Sequence, residues 1–331
     1  AVYLSKDLIL LIFLPPLLFE GSINMDLEEL QKRSLHVGLL ALVGTFVSTL
    51  IIGYVLHLIL SIPLMVALLI GAIVSPTDPV SVLAIFKEYG VSKGLATLVE
   101  GESVFNDGIG VVLYLILLDI LQGRDVTFLA GAQEFVFAVV GGGAIGFILG
   151  YLVYRLLAHI DDHLVEVMVS LILAYAVFLL AERIHASGVI AVVVAGLIIG
   201  NYGRAFSMSP TTRITLTSFW EVASFMANSL LFLLIGLQID RTELFGHMTF
   251  IVVAIIVTVL VRAMAVYGLS GLAGLFGDAL PRSWQHVMNW GGLKGSIPVA
   301  LALGLPAGLQ YRDSIVSTVF GVVAFSLFAQ G

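Results

Sequence analysis

The sequence predicts an all-α, polytopic membrane protein in which two membrane helices are broken at mid-span. Three observations carry this. Of the 331 residues, 60% are hydrophobic and only 11% charged, where soluble domains carry about 25% charged residues; the mean hydropathy is +1.10. Apolar runs of about 20 residues, the length that spans a bilayer core as a helix, recur along the whole chain. Two of these runs are interrupted by prolines, glycines and polar side chains near their middles.

Eleven membrane segments are read, at approximately 4–21, 35–60, 63–86, 95–121, 127–157, 163–184, 187–201, 213–239, 246–276, 283–305 and 313–331. The seventh is short, and its Gly188, Gly196 and Gly200 predict close packing. The polar strip from Asn24 to Ser34 reads as an interfacial helix or a solvated loop. Connections after odd-numbered segments carry eight basic residues (Lys32, Arg33, Lys87, Lys93, Arg155, Arg204, Arg213 and Arg282). The other side carries five (Lys6, Arg124, Arg183, Arg241 and Arg312). Positive charge stays on the cytoplasmic side, so the odd connections and the C-terminal end are expected there. The net charge of −7, with no Lys/Arg block, is not a nucleic-acid footprint. The absence of cysteine excludes disulfides and thiolate metal sites. Ala1 at the start, and a stop at Gln330-Gly331 inside an apolar run, predict a fragment with helices before it and a tail after it.

The third segment is broken around Gly71-Ala-Ile-Val-Ser75-Pro76-Thr77-Asp78-Pro79, the tenth around Gly291-Gly292-Leu-Lys294-Gly295-Ser296-Ile-Pro298. Proline removes a backbone donor and clashes with the preceding turn. Lipid cannot satisfy the freed groups, so such breaks survive beside protein or a water-filled cavity. A matched pair of interrupted helices, one in each half, points to a secondary transporter built from inverted repeats. Where half-helices meet, positive N-terminal and negative C-terminal ends converge. One break carries an acid, Asp78, and the other a base, Lys294, each able to neutralise dipole ends of opposite sign. A simple proline kink needs neither charge.

The fourth segment contains Glu100-Gly-Glu102-Ser103-Val-Phe-Asn106-Asp107-Gly. On a helix Ser103 and Asp107 share one face, and Glu102 and Asn106 share another. An alkali cation is hard and takes oxygen ligands: the Asp107 carboxylate, the Ser103 hydroxyl, and the Thr77 hydroxyl or carbonyl could supply them. Burial favours a protonated carboxylate, whereas a bound cation favours the charged form. Proton and cation then compete for one Asp, the minimal physics of an antiporter. Glu20, in Leu-Phe-Glu20-Gly, is a further oxygen ligand if that segment's end folds back toward the breaks, and an interfacial acid if it does not. Arg262, midway through the ninth segment, needs a buried acid, and Glu102 faces away from Asp107. Glu166 and Glu221, nearer segment ends, read as interfacial.

At these residues the chain resembles the monovalent cation/proton antiporter family that includes bacterial NhaP proteins and the animal Na+/H+ exchangers. The matching pieces are Leu-Phe-Glu20-Gly, Ser75-Pro-Thr77-Asp78-Pro79-Val80, Glu100 to Gly108, Arg262 and Gly291-Gly-Leu-Lys294-Gly. The resemblance implies the sodium/proton antiporter fold: thirteen helices, of which this chain carries the last eleven, with crossing broken helices. One transport unit would have its ion-binding core over approximately 63–121 and 213–305, the remaining helices serving as dimerisation or scaffold elements. The resemblance also implies that Asp107 binds cation and proton alternately, with Thr77, Ser103, Glu20 and Asp78 assisting and Asn106 positioning the site. It assigns Arg262 to Glu102. The family's usual base at the second break is arginine; Lys294 departs from it, and lysine lacks arginine's planar fork.

The expectation is therefore a homodimeric, bilayer-embedded Na+/H+ antiporter of the cytoplasmic (inner or plasma) membrane. It needs no cofactor, is not an enzyme, and is electroneutral, as the Asn106-Asp107 pair resembles. K+/H+ exchange on the same fold is the alternative, with Li+ a further substrate. A cation channel is the other rival, but channels need a filter built from rings of carbonyls or acids. An intramembrane aspartyl protease would need Gly-x-Gly-Asp and Tyr-Asp motifs, absent around Asp78 and Asp107.

Overall fold

The computed structural model describes residues 6–124, 126–238, 241–275 and 277–331. In chain order the helices are α1 (Lys6–Asn24), α2 (Leu27–Lys32), α3 (Ser34–Leu60), α4 (Leu64–Val74), α5 (Val80–Tyr89), α6 (Lys93–Leu121), α7 (Phe128–Leu157) and α8 (His163–Arg183). They continue with α9 (Gly188–Phe206), α10 (Pro210–Gln238), α11 (Arg241–Gly246), α12 (Met248–Leu275), α13 (Arg282–Trp290), α14 (Ser296–Leu303) and α15 (Arg312–Gln330). Eight of them, α3, α6, α7, α8, α9, α10, α12 and α15, are long and apolar enough to cross a bilayer. With α1 and the interrupted pairs α4/α5 and α13/α14, they account for the segments read from the sequence.

Local chemistry sets the helix ends. Thr127, Asp162 and Ser187 cap α7, α8 and α9 by accepting hydrogen bonds from first-turn N–H groups, such as Leu164 N at 2.9 Å from Asp162. Gly90, at φ +64°, closes α5 in the left-handed conformation that glycine adopts without strain. The strip at Asn24–Ser34 resolves into the short helix α2. The seventh segment is longer than read: α9 continues through a π-helical turn at Ile199–Gly203 to Phe206. Polar residues at that end find protein partners. Asn201 accepts from Leu27 N and donates to the Met25 and Leu197 carbonyls, and Arg204 donates to Asn24 and Thr217.

The chain forms two compact units. The first comprises 1–6, 29–126 and 233–331. It holds both interrupted helices, each bracketed by long helices in the same order: α3, α4/α5, α6 and again α12, α13/α14, α15. This is the repeat that paired breaks predict. The second unit comprises 7–28 and 127–232. Within it, Gly142, Gly146 and Gly150 line one face of α7, so close to α9 that a methyl at Gly142 or Gly146 would strike the Ser187 or Ala191 carbonyl. Small residues four apart let membrane helices approach in this way. Large apolar side chains on outward faces, Val140, Phe147 and Ile148 on α7 among them, are suited to lipid.

Within the first unit, α3 and α4 touch at Gly71, where an added Cβ would stand 2.6 Å from the Thr49 carbonyl oxygen. Gly71→Ala should therefore cost about 1–3 kcal/mol, read as a lower melting temperature in detergent. Gly143→Ala, whose methyl would meet open space, should not. Equal melting of the two variants would contradict the close approach.

Candidate functional site

The first break begins where Pro76 ends α4. The carbonyls of Ser75 and Pro76 lie beyond the helix end, and the Lys294 ammonium donates to both at 3.0 Å. The second break mirrors it. Asp78 N–H donates to the Leu293 carbonyl at 2.8 Å, and the Asp78 carboxylate packs against Gly295, the residue that opens α14, where any side chain would collide with it. The base thus sits at the negative end of α4 and the acid at the positive end of α14, the arrangement expected from helix dipoles. Lys294 is 4% exposed.

Thr77, between the two prolines, is held by α6 at three points. The Asn106 carbonyl oxygen accepts from Thr77 N–H at 3.2 Å, and the Asn106 amide donates to the Thr77 hydroxyl at 2.9 Å. The Ser103 hydroxyl donates to the Thr77 carbonyl. Asn106 therefore spends both ends of its amide on Thr77, whereas Ser103 and Thr77 keep oxygen lone pairs.

Asp107, one residue further along α6, is 7% exposed. Asp78 and Lys294 act on its charge, and no protein donor among the described residues bonds its carboxylate. A carboxylate held away from water without donors is costly unless a proton or a cation neutralises it.

Glu102 and Arg262 form the ion pair read from the sequence. It is bidentate, with Arg262 Nη1 on Glu102 Oε1 and Nη2 on Oε2, the latter at 3.0 Å. Arg262 Nη2 also donates to the Met288 carbonyl at 2.8 Å, so one guanidinium ties α6 and α12 to α13, the half-helix leading into the second break. Beside the pair lies a cavity of about 10 Å³, measured as the space open to a water centre, lined by Ser48, Ser75, Glu102, Asn106, Arg262 and Lys294 among others. That is about the room one water needs.

The structure thus brings Thr77, Asp78, Ser103, Asn106, Asp107, Lys294, Glu102 and Arg262 into one unit. Glu20 belongs to the other unit, where its carboxylate accepts from the Asn24 amide at 3.0 Å. Glu166, read as interfacial, is 1% exposed and accepts from the Thr212 hydroxyl at 2.9 Å. Helical packing inside the second unit, invisible in its position near a segment end, covers it. Sequence reading also missed Thr45, Ser48 and Thr49 on α3. Thr45 and Ser48 line the small cavity, and the Thr49 hydroxyl meets that of Ser75 at 3.2 Å. Three small hydroxyl residues at helical spacing in an apolar segment were the available signal.

Two broken helices joined through their unwound segments, with a buried carboxylate beside them, are an arrangement seen in membrane transporters of secondary type. The chain belongs to the sodium/hydrogen exchanger family, whose transmembrane model matches residues 4–331. It is 43% identical over 337 residues to the Na(+)/H(+) antiporter ApNhaP of Aphanothece halophytica, covering 100% of this chain and 64% of the relative. It is 41% identical over 329 residues to the Na(+)/H(+) antiporter NhaP of Pseudomonas aeruginosa, covering 96% of this chain and 77% of that one. The fold resembles that of the sodium proton antiporter MjNhaP1 of Methanocaldococcus jannaschii. That likeness has a TM-score of 0.80 at 23% identity, over 96% of this chain and 84% of the other. The chain spans a little under two thirds of the first curated relatives it matches.

Removing one partner of the Glu102–Arg262 pair leaves an uncompensated buried charge, at about 3–5 kcal/mol. Glu102→Ala and Arg262→Ala should each lower the melting temperature in detergent strongly, and the double variant should lose far less than the sum. Additive losses would reject the coupling.

Proposed function

We propose that this chain is the transport unit of a secondary active antiporter that exchanges Na+ for H+ by alternating access. The observation that carries the reading is Asp107: buried, beside the broken helices, and bonded by no protein donor among the described residues. Such a group is stable only when neutralised, and proton and cation can each do so, one excluding the other. Asp107 is then the shared site. The Ser103 and Thr77 oxygens complete the ligand set, with Asp78 assisting, and Asn106 positions Thr77 rather than binding the ion. Relatives named as Na(+)/H(+) antiporters support Na+ as the cation. K+ and Li+ are the alternatives, because selectivity among them rests on cavity size and ligand number.

We assign ion translocation to the first compact unit, rather than to 63–121 and 213–305 as the sequence suggested, and dimerisation or a scaffold role to the second. The Asn106-Asp107 pair resembles that of the electroneutral branch of the family, one cation for one proton. The basic residues favour a cytoplasmic C-terminal end.

The test is exchange by the full-length protein in proteoliposomes with an acid interior, with internal pH followed on adding external Na+, Li+ or K+. Cation-dependent alkalinisation, abolished by Asp107→Asn in folded protein, is expected. Substantial exchange in Asp107→Asn would sink the assignment.

A further inference from the structure

The Lys294 backbone N–H lies in the unwound segment. In a continuous helix it would bond the Trp290 carbonyl; here it donates to the Ser326 hydroxyl of α15 at 2.9 Å. Ser326 is 2% exposed and opens a π-helical turn at Ser326–Gln330. Such turns recur at functional sites. The Ser326 hydroxyl in turn donates to Gln330 Oε1 at 3.2 Å, which commits its proton to Gln330 and leaves a lone pair for the Lys294 N–H. Lys294 is therefore gripped at both ends, by Ser326 at its backbone and by the Ser75 and Pro76 carbonyls at its ammonium. Those two carbonyls immediately precede Thr77, whose oxygens face Ser103 and Asn106.

We propose that Ser326, with Gln330 behind it, is a positioning residue of the cation site. It fixes the Lys294 backbone, and through the Lys294 ammonium it fixes the first break and the Thr77 oxygens. Because its effect reaches the site through Lys294, it acts on cation affinity. The inference rests on the proposed exchange activity for its kinetic consequence, but not for the anchor itself. A cavity of about 80 Å³ lies beside the contact, lined by Asn289, Gly292, Lys294, Ser326 and Gln330 among others. Water can enter such a polar space, so loss of the hydroxyl need not unfold the protein.

Ser326→Ala and Ser326→Thr in the full-length protein, reconstituted as above, test this. In Ser326→Ala the half-saturating Na+ concentration should rise about fivefold, the scale of one hydrogen bond, with melting temperature and maximal rate near wild type. Ser326→Thr, which keeps the hydroxyl, should restore the affinity. Hydrogen exchange of the peptide containing Lys294 should be faster in the alanine variant only. An unchanged half-saturation, or a loss of rate and melting temperature shared by both variants, would overturn the role. Unchanged hydrogen exchange would overturn the anchor. If wild type carries no cation exchange while the hydrogen exchange responds as stated, the transport reading fails and the anchor stands.

Discussion

Everything at the site depends on how a membrane interior tolerates interrupted helices. Each break strands backbone groups that lipid cannot satisfy, at several kcal/mol apiece. The two breaks supply partners for one another. Lys294 takes the Ser75 and Pro76 carbonyls, Leu293 takes the Asp78 N–H, and Asp78 sits at the start of α14. Neither break could be replaced by a continuous helix without orphaning the other, which is why charge of opposite sign stands at the two places. A lysine can fill the position because two carbonyls, rather than a carboxylate fork, are what it meets.

On that frame the side chains of α6 divide their work. Glu102 turns to Arg262 and fastens α12 and α13, while Asn106 and Ser103 turn to Thr77 and fasten the first break. Asp107 alone is left with its carboxylate unclaimed by protein donors among the described residues. In the proposed mechanism the cost of that buried charge is offset by whichever cation or proton occupies Asp107. That is a physical route from sequence spacing to exchange.

Much of this was legible in the sequence because membranes impose strong rules. Apolar runs marked the segments, Pro76, Pro79 and Gly291-Gly292 marked the breaks, and a mid-membrane Arg262 demanded an acid such as Glu102. Less legible were features decided by packing. The last turns of α9 were not read, because Asn201 and Arg204 find partners far away in sequence. The burial of Glu166 beside Thr212 has no local signature. Ser326 was unreadable because one serine in an apolar helix carries no pattern. The three-point grip on Thr77 was partly visible, since Ser103 and Asn106 share a helix, but their common target was not.

The central claim is that one carboxylate is neutralised by either a proton or a cation. It is tested most directly by proton release from the purified full-length protein in weakly buffered detergent solution on adding Na+. The account requires Na+ binding to eject protons near one per bound cation, with the release absent in Asp107→Asn. Tight Na+ binding to the wild type without proton release would contradict it, because cation and proton would then occupy separate sites.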